Sequence, residues 1–232
     1  MTELLTDRWH GALRVRFASP ERRNALGIST VGALRAVLES EPSTTVILGS
    51  TAAHIFSAGA DIKVADEDRQ QISNQLYDCY RSMLTRPGPA LAVVEGPAVG
   101  GGAQLSTAAD LRVGGSGARW QWVGPGHGLV VGGWILPGMV GRGRALELML
   151  TSRWLDADDA VRCGLLDAVY DDPWAQAARV VAHLQTLDAL AVARLKQLSL
   201  DGGLLERLSA EQDTNRRWDG RAPAHERQEA RP

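Results

Sequence analysis

The feature that most constrains the fold is a glycine-rich segment, GPAVGGGAQLS, at residues 96–106. The apolar run Ala90 to Val94 precedes it and predicts a buried strand, and a helix is predicted from about Ala103 to Ala109. Glycine is costly in regular elements, so three in succession indicate backbone that turns sharply or lies close to another group. The first N–H groups of a helix have no partner within it and favour negative charge. The segment therefore predicts a strand–turn–helix corner that attracts an electron-rich group.

A second glycine-centred segment, SAGADIK, occupies residues 57–63. It follows the β-branched run Thr45 to Leu48, which predicts another buried strand. Gly59 allows Ala60 to sit in a tight turn. One N–H donor from each segment would make an oxyanion hole, a pair of donors that stabilises a carbonyl oxygen as it gains negative charge. Taken singly, each segment is more often an ordinary glycine turn, whereas the pair, in this order and about forty residues apart, is much more specific.

The remaining pattern is that of an α/β protein, in which short strands are interleaved with helices. Further strands are predicted at Leu13 to Phe17 and Leu111 to Val113. Predicted helices cover a segment capped by Ser29 or Thr30 that ends near Glu39, then Ile72 to Leu84, Arg142 to Thr151, Asp156 to Cys163 with Gly164 as C-cap, Val180 to Leu200, and Leu204 to Trp218. The acidic run Asp66, Glu67 and Asp68 is predicted to be a loop over the entrance of a site.

We expect a single domain over residues 1–232, with a core to about 175, a helical region over about 176–219 and a charged tail at 220–232. A net charge of −2 argues against nucleic acid as a partner. The two cysteines form no paired motif and the five histidines have no zinc-ligand spacing, so no metal is expected. The N-terminus lacks a signal-peptide pattern, and the apolar run from Leu129 to Val140 is too short for a bilayer. A cytoplasmic protein without a membrane partner is the expectation.

The sequence resembles the crotonase, or enoyl-CoA hydratase/isomerase, superfamily. The segments that carry the resemblance are SPERRNAL, TTVILGS, FSAGADIK, AVVEGPAVGGGAQLSTAADLRV and GRGRALELMLTSRWLDADDAVRCGLLDAV. This resemblance implies a spiral of ββα units with a helical C-terminal extension, assembled as a trimer or hexamer. It also implies an acyl-CoA thioester as ligand and a place in fatty acid metabolism. Coenzyme A would enter as part of that substrate or ligand, so no separate cofactor is expected.

The resemblance also implies the site residues. The oxyanion donors would be the N–H groups of Ala60 and Gly101. Residues expected to contact the substrate are Arg22 and Arg23 near the entrance, Ala58, Ala60, Asp61, Ile62 and Lys63 along the coenzyme A, and Gly100, Gly101, Trp120 and Gly124.

Two positions depart from the pattern of the family's hydratases. Those enzymes use two glutamates to deliver water and a proton, and the matching positions here are Gln104 and Gly124. Each positioned acid or base contributes about 10²–10⁴-fold, so ordinary hydration is expected to be weak or absent. The loop from Trp120 to Trp134 is more similar to that of dihydroxynaphthoyl-CoA synthases, but the serine and aspartate of that branch match Leu129 and Val131.

Several side chains have two interpretations. His127, the one titratable residue between Trp120 and Trp134, is either a proton shuttle or a loop histidine without chemistry. Gln104 either hydrogen-bonds a thioester or satisfies a buried backbone group. The indoles of Trp120, Trp122 and Trp134 either line an acyl pocket or belong to the core.

Three functions therefore remain open. The first is an acyl-CoA lyase or isomerase that stabilises an enolate between Ala60 and Gly101, with His127 as candidate base. The second is a non-catalytic protein that binds acyl-CoA and has lost the acid and base. The third is a structural family member with a blocked pocket.

Overall fold

The computed structural model describes residues 3–61 and 64–216. Its strands are β1 (Leu4–Trp9), β2 (Ala12–Phe17), β3 (Val46–Ser50), β4 (Ala90–Val94), β5 (Pro97–Val99), β6 (Leu111–Gly114), β7 (Arg119–Gln121) and β8 (Leu155–Asp156). A five-stranded sheet has the order β1-β2-β3-β4-β6 and is parallel apart from the antiparallel β1–β2 pair. A smaller sheet has the order β5-β7-β8.

The helices complete an α/β architecture. They are α1 (Ile28–Ser40), α2 (Asp66–Thr85), α3 (Gly101–Ala108), α4 (Leu136–Val140), α5 (Arg142–Thr151), α6 (Ala157–Arg162), α7 (Pro173–Leu184), α8 (Ala189–Ser199) and α9 (Leu204–Arg216). Short 3₁₀ turns lie at Pro20–Arg22 and Gly124–His127. The predicted α/β class and the strands at β2, β3, β4 and β6 are confirmed.

The larger sheet is covered on both faces, which explains why β3 and β4 are apolar throughout. Every residue of these two strands is buried. Val46 and Leu48 pack into the main core with α1, α2 and α3, whereas Ile47 packs against Ala177 and Val181 of α7. Alternate residues of a strand point to opposite faces, so a parallel sheet between two helical layers needs an uninterrupted apolar run.

The predicted cap of α1 is wrong. Ser29 and Thr30 lie inside the helix, which begins after Gly27 without a side-chain cap. Both hydroxyls instead donate to the Glu3 carboxylate. Their polar groups therefore connect α1 to the N-terminal segment, a long-range contact that a local capping rule does not detect.

Two further boundaries differ from the prediction. The acidic run Asp66, Glu67 and Asp68 is the first turn of α2 rather than a loop, since carboxylates stabilise the positive end of a helix dipole. The single helix predicted over 180–200 is two helices, because the Asp188 side chain accepts from the Ala191 amide at 2.7 Å and begins α8. Residues 217–232, including the charged tail, lie outside the described part of the chain.

A buried polar cluster joins α9 to α2. The Tyr77 hydroxyl donates to Glu211 and accepts from Asn215 Nδ2, both at 2.8 Å. Burial raises the pKa of Glu211 to about 7, although hydrogen bonds from Tyr77 and from the amides of Gly132 and Trp134 oppose that rise. Glu211 is therefore the member of this cluster whose protonation state changes near neutral pH.

This shift predicts a pH-dependent stability. Because the folded pKa lies above the ordinary value of 4.5, the unfolding free energy should fall as pH rises from about 4.5 through about 7. The decline attributable to Glu211 is at most about 3 kcal/mol. Urea denaturation from about pH 5 to about pH 8 should show it in the wild type and in the exposed control Glu206→Gln, and lose it in Glu211→Gln. Parallel curves for the wild type and Glu211→Gln would contradict the assignment.

Candidate functional site

The two glycine-centred segments meet through main-chain hydrogen bonds. The amides of Phe56 and Ser57 donate to the Pro97 carbonyl at 2.9 and 3.1 Å, and the Val99 amide donates to the Ser57 carbonyl at 2.9 Å. Segment 57–61 therefore runs beside β5, and α3 begins two residues after β5 ends. Residues about forty positions apart in sequence thus form one corner.

Gly59 is required at this corner for two reasons. Its φ is +86°, which side-chain-bearing residues rarely adopt. A Cβ atom there would lie 2.6 Å from the Val99 carbonyl oxygen and 3.1 Å from the Gly101 nitrogen. The Ser57 hydroxyl, which donates to the Asn24 carbonyl at 2.8 Å, accepts from the Gly59 amide at 3.1 Å and holds the turn.

The amides of Ala60 and Gly101 have no hydrogen-bond partner among the residues described by the structure. On either side of Ala60, the Gly59 carbonyl accepts from Leu26 and the Asp61 amide donates to Leu26. Gly101 is the first residue of α3, so its N–H has no partner within the helix. A Cβ built on Gly101 would lie 3.5 Å from the Ala60 nitrogen. The two free donors are close neighbours.

Both donors line a cavity of about 740 Å³. Of the predicted site residues, the cavity brings together Arg22, Arg23, Ala58, Ala60, Asp61, Gly100, Gly101, Gly124 and His127. Ile62 and Lys63 lie outside the described residues. The open cavity gives no support to the blocked-pocket interpretation.

The mouth of the cavity carries an ion-pair chain. Arg22 donates to Asp61 at 2.9 Å and to Glu3 at 2.5 Å, with half of the arginine side chain exposed. The carboxylate side chains of Glu3 and Asp61 are exposed by only 21% and 14%, so partly buried partners hold the Arg22 guanidinium. Arg22 therefore presents a positive charge that is fixed on the cavity lining and half accessible to solvent.

Gln104 does not line the cavity. Its side chain is buried, and Oε1 accepts from the Trp134 indole at 2.6 Å and from the Gly132 amide at 3.2 Å. Of the two roles considered for this residue, the structure shows the satisfaction of buried groups. A direct catalytic contact of Gln104 has no support in this geometry.

Trp120 is not among the residues that line the cavity, so its predicted contact with substrate finds no support in this geometry. Trp120, Trp122 and Trp134 are all enclosed in the core. Trp120 donates to the Ser106 hydroxyl at 2.9 Å, which gives its indole N–H a partner inside the protein. The apolar wall of the cavity consists instead of Val99, Val123, Leu129 and Val131, which sequence patterns did not identify.

Gly124 is closely covered by the loop that follows it. A Cβ atom there would lie 2.5 Å from Val131 Cγ2 and 2.7 Å from the Leu129 carbonyl oxygen. The Leu129 amide also donates to the Gly124 carbonyl at 2.9 Å and closes the loop. No larger residue fits at position 124 unless the loop moves.

Sequence reasoning also missed Glu211. Its Oε1 accepts from the Gly132 amide at 3.1 Å, so this amide is shared with Gln104, and Oε2 accepts from the Trp134 amide at 3.0 Å. The residue lies 79 positions from Gly132 in sequence. No local motif marks such a contact, and a glutamate within a polar helix usually faces solvent.

Other site types find no basis in residues 3–61 and 64–216. Those residues contain no group of three or more histidine, cysteine, aspartate or glutamate side chains able to hold a metal ion. Within the same residues, no helix has the length and apolar character needed to cross a membrane.

Comparison with known proteins identifies the family of this chain. The model of the enoyl-CoA hydratase/isomerase family matches residues 8–225. The probable enoyl-CoA hydratase echA6 of Mycobacterium leprae is 32% identical over 84% of this chain and 82% of its own length. The probable enoyl-CoA hydratase echA14 of Mycobacterium tuberculosis is 34% identical over 70% of this chain and 68% of its own.

Solved structures share the fold. An enoyl-CoA hydratase from Mycobacterium avium subsp. paratuberculosis K-10 is 26% identical with a TM-score of 0.82, covering 94% of this chain and 88% of that one. An enoyl-CoA hydratase/isomerase from Xanthobacter autotrophicus Py2 is 23% identical with a TM-score of 0.87, over 96% and 89% of the two chains. With the family match over most of its length and this shared crotonase fold, the chain belongs to the enoyl-CoA hydratase/isomerase family.

Proposed function

We propose that the protein binds an acyl-CoA thioester with its carbonyl oxygen between the amides of Ala60 and Gly101, and that it stabilises the thioester enolate without efficient hydration. The observation that carries this proposal is the pair of unpartnered amides on one cavity. The family membership and the names of the relatives support an acyl-CoA ligand.

Main-chain donors suit this role because they need no reorganisation as charge develops. An enolate places negative charge on the former carbonyl oxygen. One oxyanion donor is typically worth about 2.7–4 kcal/mol in the transition state. The N-terminus of α3 adds the positive end of a helix dipole on the same side.

Two separate obstacles oppose ordinary hydration. The first is chemical, since the Gln104 amide cannot exchange a proton at neutral pH and its oxygen is occupied by Trp134 and Gly132. The second is spatial, since Leu129 and Val131 leave no room for a side chain at Gly124. A mutation that restores one carboxylate would leave the other obstacle in place.

Two outcomes of binding stay open within this proposal. His127 lines the cavity within the 3₁₀ turn that begins at Gly124, and this position favours a lyase or isomerase with His127 as base. Without turnover, the same cradle makes a non-catalytic acyl-CoA-binding protein. Measurements of acyl-CoA binding and of acyl-CoA turnover on the same protein separate the two outcomes.

The proposal extends to a homotrimer or hexamer acting in cytoplasmic fatty acid metabolism. Leu190, Leu195 and Leu198 of α8 are exposed by 58%, 70% and 66%. Lys196 fixes this helix to the core through Asp110 at 2.6 Å and the Gly88 carbonyl at 2.9 Å. A rigid helix with an outward apolar face supports assembly through the C-terminal helices.

Within this proposal, the first prediction concerns binding and turnover. Calorimetry with a panel of acyl-CoAs should detect binding, whereas incubation with crotonyl-CoA should cause no rapid loss of the conjugated thioester absorbance. If other acyl-CoAs are turned over and this turnover is lost in His127→Ala, the protein is a lyase or isomerase with His127 as base. If acyl-CoAs bind without turnover, it is a non-catalytic acyl-CoA-binding protein. Rapid hydration, or no binding of any acyl-CoA, would overturn the proposal.

The second prediction tests the paired amides. In Gly101→Ala the added methyl group would contact the Ala60 nitrogen at 3.5 Å and Leu76 Cδ1 at 3.0 Å, which crowds the space for a carbonyl oxygen. The affinity for an acyl-CoA should fall about tenfold, while the affinity for free coenzyme A, which has no carbonyl at that position, should stay the same. Gly32→Ala, with no atom near the added group, is the matched control. Equal losses for both ligands would argue against the hole.

The third prediction concerns Gly124. Gly124→Ala should lower the unfolding free energy by about 1–3 kcal/mol because the methyl group overlaps the Leu129 and Val131 atoms. Gly126→Ala meets no atom within 4 Å and should leave stability close to the wild type. The double variant Gln104→Glu, Gly124→Glu should gain no hydratase activity over the wild type. Chemical denaturation and the crotonyl-CoA assay provide the two measurements, and a stable, active double variant would refute the spatial argument.

A further inference from the structure

Helix α9 presents two side chains, one turn apart, to the main chain of residues 129–134, which we call the wall loop. Glu211 accepts from the amides of Gly132 and Trp134. Asn215 accepts from the Val130 amide at 2.9 Å and donates to the Val130 carbonyl at 2.7 Å. The helix thus binds every second residue of the loop through backbone groups.

Two residues that alternate with the contacts at Val130 and Gly132 belong to the cavity wall. Leu129 and Val131 line the cavity and alternate along the chain with the residues that α9 holds. Val131 also lies against Gly124. The position of this apolar wall is therefore determined by hydrogen bonds on its opposite side.

We propose that Glu211 is a positioning residue for the acyl chain, and that its ionised form holds Leu129 and Val131 in the geometry that grips a bound thioester. This inference rests on the proposed binding of acyl-CoA. It adds that the affinity for the acyl chain falls when Glu211 is protonated.

Ionisation matters because the groups around Glu211 are donors. The amides of Gly132 and Trp134 and the Tyr77 hydroxyl all donate to its two oxygens. An ionised carboxylate accepts all of them with both oxygens, whereas a neutral carboxyl turns one oxygen into a donor, weakens the bonds that this oxygen accepts, and finds only the Tyr77 oxygen as an acceptor among these three groups. Hydrogen bonds to a charged acceptor are also the stronger kind.

The surroundings contain no counter-charge for Glu211 in the described part of the chain. Helix α2 faces it with the phenols of Tyr77 and Tyr80, and α3 faces the shared amide with the neutral Gln104. On α9 itself, Arg207 donates to the carbonyls of Trp134 and Gly202 instead. Burial raises the pKa of Glu211 to about 7, so both forms are populated near neutral pH.

The test measures the affinity for decanoyl-CoA by calorimetry at about pH 6 and about pH 8. The wild type should bind about tenfold more tightly at the higher pH. Glu211→Gln, which mimics the neutral carboxyl, should bind equally at both and match the wild type at the lower pH. Glu206→Gln on the exposed side of α9 is the matched control and should keep the wild-type step. A step that disappears in His127→Asn would be assigned to that cavity residue instead and would overturn the inference.

A second variant loosens the wall loop without changing Glu211, and a comparison of two ligands shows whether the effect is on the acyl chain or on the whole fold. Asn215→Ser removes the hydrogen bonds of Asn215 to Val130 and to the Tyr77 hydroxyl and leaves the Glu211 carboxyl in place. Decanoyl-CoA should then bind more weakly at both pH values, while free coenzyme A, which has no acyl chain, should bind unchanged. An unaltered decanoyl-CoA affinity, or a pH step that persists in Glu211→Gln, would overturn the inference.

If the wild type binds no acyl-CoA, the proposed function fails and hydrogen exchange still tests the wall. After correction for the intrinsic pH dependence, the amides of Gly132 and Trp134 should exchange more slowly in the wild type than in Glu211→Gln at about pH 8. Equal exchange would refute the role of Glu211 without reference to any ligand.

Discussion

The site depends on the main-chain pairing of Phe56 and Ser57, at the start of the first glycine turn, with β5. Three hydrogen bonds, from Phe56, Ser57 and Val99, place one glycine turn against the start of α3. Because these bonds join backbone to backbone, the amides of Ala60 and Gly101 are positioned independently of the side chains around the cavity. On the proposed function, the same frame would hold a thioester carbonyl while its walls and its proton chemistry differ.

The two departures from the hydratase pattern are physically connected. Gln104 binds the wall loop through Gly132 and Trp134, and the same loop covers Gly124 through Val131. A carboxylate at position 104 would bring a charge into this buried network, and any side chain at 124 would displace the loop. Packing and structural hydrogen bonds therefore occupy both positions that the resemblance matches to the acid and base of a hydratase.

The sequence predicted what local backbone chemistry determines. The glycine segments predicted a corner with free amides, and the apolar runs predicted β3 and β4. Local patterns did not show that Trp120 is enclosed in the core, where Ser106 accepts its indole N–H. The cap at Asp188 is a local signal that was missed, since this side chain accepts from the Ala191 amide and divides a long helical pattern. Glu211 could not be found, since nothing in an amphipathic helix shows which carboxylate will be buried.

Ionisation of Glu211 has opposite effects on the stability of the fold and on the order of the cavity wall. Ionisation costs folding free energy because the charge is buried, yet it completes the hydrogen bonds that hold the wall loop. On the proposed coupling, a ligand that favours the ionised form lowers the pKa of Glu211, and binding near neutral pH releases part of a proton. The acyl chain and the proton then compete through the same two backbone amides, although neither the helix nor its carboxylate contacts the ligand.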